Sequence, residues 1–152
     1  MGEDTAMYDR DKLHRAPIFR DFAAQDIEAI VALGREQAFA NGDEIFREGE
    51  PGRYLYIVLE GVVSIRCGDK YIAKCKVYEA FGEMAMLHQR ARSATATAAT
   101  AVRTLSLGDK EIASLLDTPR AVQFLLNIIE ILSARLEIGN TWIANSLEAQ
   151  RR

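Results

Sequence analysis

The feature that most constrains the fold is a block of short strands separated by turn residues, between Gln37 and Leu107. Asn41-Gly42, Pro51-Gly52 and Gly68-Asp69 are dipeptides typical of turns. Residues 54–59, which lie between the last two, are rich in the aromatic and β-branched side chains that strands favour. Many short strands at regular spacing are typical of a compact β-barrel or sandwich. The chain of 152 residues has room for one domain of ordinary size, and this block would form its centre.

Helical periodicity flanks the strand block on both sides. Residues 11–34 predict N-terminal helices, which Pro17 divides into short pieces because proline lacks a backbone donor. Residues 109–150 predict C-terminal helices, and Thr118-Pro119 is suited to begin the last and longest of them. That helix carries a broader apolar stripe than a domain of this size needs, with Gly139 as a point where it could bend. The surplus predicts either a lid over the barrel or a helix that pairs with a second copy.

Together these patterns predict an α+β fold class. We expect a compact β-barrel or sandwich over residues 35–108. The N-terminal helices and the long C-terminal helix would flank it. Residues 1–10 are polar and without periodicity, so we expect a flexible N-terminus before a single domain at 11–152.

The Gly68-Asp69 turn also predicts a register for the two strands that it joins. It places Cys67 opposite Lys70 and Cys75 opposite Val62, so the two cysteines would not pair. Free thiols are usual in a reducing compartment. No secretory signal and no apolar run of about 20 residues is visible, so we expect a cytoplasmic protein without a membrane span.

The composition argues against two further classes of function. With two histidines and two cysteines that lack CxxC spacing, the chain has too few ligands for a zinc or iron site. Lysine and arginine number 19 against 22 aspartate and glutamate, a net charge of −3, which argues against a broad nucleic-acid-binding face. A small basic pocket is still compatible with this balance.

The most informative segment for chemistry is 81–96. Phe81-Gly82 is expected to end a strand, and Glu83 to open a short helix whose free backbone amides form an anion site. Gly82 lets a ligand approach the backbone closely, and Arg92 could point back to the same place. A guanidinium together with free amides suits a phosphate. Because a carboxylate is repelled by phosphate, Glu83 would instead bind a sugar hydroxyl of the same ligand.

This segment resembles the phosphate-binding cassette of the cyclic-nucleotide-binding domain family, which includes bacterial catabolite activator proteins and protein kinase A regulatory subunits. Residues 81–87 (FGEMAML) and 92–95 (RSAT) match the family pattern at its spacing, with Ala91 where proline is usual. Upstream, residues 41–52 and 55–61 are similar to the strand-turn and strand motifs that precede the cassette in this family.

The resemblance implies that residues 35–108 form a jelly-roll-like β-barrel, also described as a double-stranded β-helix or β-roll, with a long C-terminal lid helix. It also implies a role for each matched residue. Glu83 would accept the ribose hydroxyl, while Arg92 and the backbone around Ala85 would hold the cyclic phosphate. Ser93 would add a hydroxyl near the phosphate or base, and Asn140 of the lid helix is the candidate base contact. The predicted ligand-binding residues are Phe81, Gly82, Glu83, Met84, Ala85, Arg92, Ser93, Ala94, Ile65, Ile72 and Asn140.

The function that this resemblance implies is a regulatory sensor. The chain would bind cAMP in preference to cGMP, since the overall pattern resembles bacterial members. It would signal by closing its C-terminal helix and changing the surface offered to a protein partner or a second copy. No nucleophile–base pair is visible, so we expect no enzymatic activity and no cofactor besides the ligand.

Two alternatives stay open at this point. The domain could keep the fold for a structural or interaction role without using its pocket, in which case Arg92 would simply pair with Glu83. An enzyme on a small barrel is the least favoured interpretation. No helix-turn-helix follows the long helix in this sequence, so we expect a stand-alone domain without a nucleic-acid partner.

Overall fold

The computed structural model describes residues 10–83 and 91–151. Two short 3₁₀ helices, Arg10–Arg15 and Pro17–Phe19, precede helix α1 (Ala24–Leu33). Pro17 occupies the start of the second, where its missing N–H costs no hydrogen bond. Of the predicted flexible N-terminus, residues 1–9 lie outside the described residues.

The strands form two antiparallel sheets. Their bounds are β1 (Arg35–Phe39), β2 (Glu44–Phe46), β3 (Tyr54–Glu60), β4 (Val63–Cys67), β5 (Lys70–Cys75), β6 (Ala80–Phe81), β7 (Thr95–Ala98) and β8 (Val102–Gly108). One sheet has the order β1-β8-β3-β6 and the other β2-β7-β4-β5. With helices on either side, this arrangement confirms the predicted α+β class and the jelly-roll-like β-roll.

Strand β3 separates two hydrophobic cores. Leu55, Ile57 and Leu59 pack with the helices, whereas Tyr56 and Val58 pack with residues of the second sheet. Because successive side chains of a strand point to opposite faces, a strand covered on both sides needs a continuous apolar run. The buried part of this run, residues 55–59, therefore reflects a central strand that is covered on both faces.

The β4–β5 hairpin corrects one predicted register. Cys67 lies opposite Lys70 as expected, but Cys75 lies opposite Val63 and not Val62. A β-bulge at Ile72 of β5, opposite Ile65 and Arg66 of β4, shifts the pairing by one residue. Both cysteines are free, and burial raises the pKa of the Cys75 thiol to about 11.

Two helices follow the strands, α2 (Asp109–Leu116) and α3 (Ala121–Gln150). Helix α3 begins two residues later than predicted and continues through Gly139 without a break. The buried amide of Asn127 ties it to the N-terminal segment, donating to the carbonyls of Ile18 at 2.9 Å and Arg20 at 3.0 Å. Within the described ranges, no helix combines the length and the apolar character that crossing a membrane requires.

Candidate functional site

The backbone at Gly82 brings the end of β6 against Arg92. Gly82 has a φ of +84°, a conformation that side chains disfavour. A Cβ atom at this position would lie 2.7 Å from Arg92 Nη1 and 3.2 Å from the carbonyl oxygen of Tyr54. Glycine is therefore required here for both the backbone conformation and the close approach.

Arg92 is a buried cation, 4% exposed, that backbone groups hold in place. Its own N–H donates to the carbonyl of Glu50 at 2.7 Å. Its side chain donates from Nη1 to Gly82 O and from Nη2 to Tyr54 O, each at 2.8 Å. The guanidinium carbon lies 4.0 Å from the ring centroid of Phe46, which adds a cation–π contact.

The charge of Arg92 has no described carboxylate in direct contact. Burial lowers the pKa of its guanidinium, whereas Tyr56 and Glu83 act in the opposite direction. Arginine stays protonated in proteins even so. Its Nε–H is buried and has no hydrogen-bond partner among the described residues. A buried cation with a free donor and neutral carbonyl partners can bind an anion.

Glu83 is buried to the same extent as Arg92, yet its partner comes from α3. Arg135 Nη1 donates to Glu83 Oε1, and Arg135 Nη2 donates to the carbonyl of Ala80 in β6. One guanidinium thus connects the carboxylate and a strand end to the C-terminal helix. Gly82, Glu83 and Arg92 lie together as the sequence predicted, and Arg135 joins them.

Arg135 is not among the residues that the sequence predicts for the site, although a signal for it exists. Phe124 and Ile128 are buried and Ile131 packs against the same core, at spacings of four and three residues. Arg135 follows four residues later, on the same face of the helix. A charged residue that continues a buried apolar stripe is a candidate for an ion pair with the rest of the chain, and here its partner is Glu83.

The predicted apolar wall residues occupy different environments. Phe81 is buried and its ring stacks on Tyr56, with centroids 5.1 Å apart and planes at 12°. Ile65 is half-buried and packs against the core between the sheets. Ile72 is 56% exposed and lies at the β4–β5 bulge. Their contact with a ligand stays a prediction.

The remaining predicted ligand residues are less enclosed. Ser93 is exposed and its carbonyl accepts a hydrogen bond from Cys67 Sγ at 3.5 Å, and Ala94 is half-buried. Asn140 is exposed on α3, five residues after Arg135, which is about 140° around the helix. Met84 and Ala85 lie outside the described residues.

Comparison with known proteins identifies the family. A family model for the cyclic nucleotide-binding domain matches residues 36–118, more than half of the chain. This chain belongs to the cyclic nucleotide-binding domain family. The predicted resemblance is thereby confirmed. The matched range contains Glu83 and Arg92 but ends before α3, so neither Arg135 nor Asn140 of this cyclic nucleotide-binding domain is covered by the family pattern.

Relatives of the domain are parts of larger proteins. The cGMP-dependent protein kinase 2 of Homo sapiens is 28% identical over 102 residues, 67% of this chain and 13% of the kinase. The cAMP-dependent protein kinase regulatory subunit of Debaryomyces hansenii is 33% identical over 84 residues, 55% of this chain and 18% of that protein. The chain therefore spans less than a fifth of these two relatives.

A solved structure supports the same assignment. The crystal structure of the catabolite activator protein of Thermus thermophilus superposes with a TM-score of 0.75 at 26% identity. The match covers 84% of this chain and 62% of that protein. The cyclic nucleotide-binding domain described here thus shares its fold with a bacterial regulator as well as its sequence pattern with kinase proteins.

Proposed function

We propose that this domain binds a cyclic nucleotide and releases it unchanged, as a regulatory sensor. The observation that carries the proposal is the buried Arg92 guanidinium, whose Nε–H has no partner among the described residues. It lies against Gly82, next to a second buried charge at Glu83. A cation and a carboxylate side by side suit a ligand that carries both an anion and hydroxyl groups.

Each group has a proposed part in binding. Arg92 would hold the cyclic phosphate by charge-assisted hydrogen bonds, and Glu83 would accept the ribose hydroxyl. The backbone at Gly82 would approach the ligand closely because no Cβ intervenes. The other predicted contacts from Phe81 to Ala94, and those at Ile65 and Ile72, are proposed on the family pattern alone.

Asn140 is the proposed base contact. Because it is exposed and on a different face of α3 from Arg135, it could reach a ligand near Glu83 only after α3 moves or turns. This requirement agrees with the proposed signal, in which the C-terminal helix closes over the bound nucleotide.

We propose cAMP as the preferred ligand over cGMP. The support is the resemblance of the motifs to bacterial members and the 26% identity to the Thermus thermophilus catabolite activator protein. The curated relatives include both cGMP-dependent kinases and cAMP-dependent regulatory subunits, so their names do not support the preference for cAMP. The two free thiols suit a reducing compartment, and we propose the cytoplasm as the location.

Helix α3 would transmit the signal of nucleotide binding. Val122, Ile129, Leu136 and Ile143 recur at seven-residue intervals, and each is more than half exposed. A heptad repeat of exposed apolar residues is the pattern by which helices pair in a coiled coil. We propose that this stripe binds a second copy of the chain and that nucleotide binding changes this dimer.

The test is calorimetric titration of the purified protein with cAMP and cGMP separately, after carried-over nucleotide has been removed. Saturable binding, tighter for cAMP, is the expected result. Arg92→Leu should weaken binding by about 2–5 kcal/mol, as truncating one partner of a buried charged contact does. The matched control is Arg35→Leu, which removes an exposed arginine of β1. Equal affinity of the two variants would remove Arg92 from the site.

The alternative is an interaction domain of the same fold that does not use its pocket. It predicts no heat with either nucleotide from a protein whose circular dichroism is that of the folded state. Any turnover of the nucleotide during the titration would instead favour an enzyme.

A further inference from the structure

The exposed thiol of Cys67 lies beside the segment that carries Arg92. Its Sγ donates to the carbonyl oxygen of Ser93 at 3.5 Å. Ser93 follows Arg92 directly, and consecutive Cα atoms are about 3.8 Å apart. The turn after Cys67 is held as well, since the N–H of Gly68 donates to Glu48 Oε1 at 3.1 Å. These contacts fix the end of β4 next to the residue that is proposed to hold the cyclic phosphate.

The alternation of β4 directs the Cys67 side chain inward. Val63 is buried and Ile65 is half-buried, and both pack in the core between the sheets. Because side chains two residues apart in a strand share a face, Cys67 continues this inner row. The extra residue of the bulge is Ile72 of β5, so the alternation of β4 itself is uninterrupted. Cys67 therefore lies where the inner row of β4 reaches solvent.

The same inner face holds a buried cation with an unused donor. In β7, Ala96 lies opposite Ile65 and is buried in the same core. Arg92 lies four residues before Ala96, and its guanidinium packs on the ring of Phe46, which contacts that core. Arg92 is 4% exposed, and its Nε–H has no hydrogen-bond partner among the described residues. The Cys67 thiol is therefore part of the place where the proposed function puts an anion.

Cys75 is the other cysteine of the chain, and its environment is the opposite. It is 4% exposed, and burial raises the pKa of its thiol to about 11. A thiol reacts as the thiolate, so a buried thiol with a raised pKa is inert at neutral pH. Cys75 thus serves as an unreactive reference for Cys67 within the same molecule.

We propose that Cys67 is a modification site, and that a mixed disulfide formed there with glutathione closes the nucleotide site. This inference rests on the proposed function. The Cys67 thiolate attacks one sulfur of glutathione disulfide, and the old S–S bond breaks as the new one forms. The released glutathione thiolate takes up the proton that Cys67 lost. The attached group brings carboxylates and bulk beside Arg92, where they compete with a cyclic phosphate, and reduction reverses the reaction.

The first experiment follows both thiols by mass spectrometry while the full chain reacts with iodoacetamide. We expect Cys67 to be alkylated and Cys75 to stay unmodified. With cAMP at about 100 times its dissociation constant, roughly 1% of the sites are empty by mass action, and alkylation of Cys67 should slow at least about tenfold. Adenosine, which lacks the phosphate, is the matched control and should not protect Cys67 at the same concentration.

The second experiment titrates cAMP into the chain after treatment with glutathione disulfide. Binding should weaken about tenfold or more, within the usual range of coupling between two sites, and should recover when dithiothreitol removes the adduct. Cys67→Ser should bind cAMP with the same affinity before and after the treatment. Cys75→Ala should respond to the treatment as the unaltered chain does.

Three results would overturn the inference and leave the proposed function intact. They are equal alkylation of Cys67 with and without saturating cAMP, unchanged affinity after complete modification of Cys67, and alkylation of Cys75 as fast as that of Cys67. If the untreated chain bound neither cAMP nor cGMP, the proposed function would fail and this inference with it.

Discussion

At the scale of single residues, the site places two opposite buried charges near each other without pairing them directly. Arg92 donates to two backbone carbonyls, and Glu83 accepts from Arg135. A direct Arg92–Glu83 pair, which the alternative interpretation predicted, would leave neither charge available to a ligand. The arrangement in the structure keeps Arg92 Nε free among the described groups, so an anion can still be bound.

Gly82 provides the first prediction at this scale. Gly82→Ala should destabilise the fold by about 1–3 kcal/mol, because a side chain at φ +84° is strained and its Cβ would press on Arg92. Urea unfolding measures the loss. Gly42→Ala is the matched control, since Gly42 also has a positive φ, +95°, but nothing within 4 Å of its Cβ position. Equal losses in both variants would show that the contact with Arg92 costs nothing.

Single residues also show how far the sequence predicts the site. Gly82, Glu83 and Arg92 could be predicted because the motif orders them within a short segment and their residue types suit a phosphate and a sugar. The partner of Arg135 could not be predicted, because Glu83 lies 52 positions away and no local pattern specifies a long-range ion pair. The place of Arg135 on a buried helical stripe was the available signal.

At the scale of elements, a polar anchor holds the first turns of α3. Asn127 donates to Ile18 O and Arg20 O, and it accepts from Gln123 Nε2 at 2.8 Å. Asn127→Leu should therefore lower the free energy of unfolding by about 2–4 kcal/mol, since one buried and one part-buried carbonyl lose their donor. Chemical denaturation of Asn127→Leu beside Asn140→Leu tests this, because Asn140 is exposed on the same helix. A loss no larger at Asn127 than at Asn140 would contradict the anchor.

Elements also show what local sequence leaves undetermined. The strands and turns follow from β-branched residues and glycine dipeptides, so the β-roll was predictable. The bulge beside Ile65 was not predictable, because the position of an extra residue in one strand depends on packing on both faces of the sheet. Gly139 was expected as a possible bend, but one glycine costs a helix only about 1 kcal/mol and α3 continues through it.

At the scale of the whole molecule, α3 presents two faces with different tasks. Phe124, Ile128 and Arg135 contact the rest of the chain. The exposed heptad stripe lies on a different side of the helix, and Ile143 belongs to it. A helix that touches the site on one face and a second copy on the other would transmit a change at Glu83 to the dimer.

The proposed dimer gives the last prediction. Ile143→Glu should raise the dimer dissociation constant at least about 100-fold, because a charged side chain in a coiled-coil seam loses its hydration. Each 1.4 kcal/mol of lost binding free energy raises the dissociation constant tenfold. Sedimentation velocity over a range of concentrations measures it. Ile138→Glu is the matched control: the same substitution at another exposed isoleucine of α3, five residues and about 140° away. It should leave the dimer intact. Pairing through the stripe would be contradicted if the unaltered chain were monomeric at a concentration on the order of 100 μM, or if both variants had equal effects. Either result would direct the search to a different protein partner.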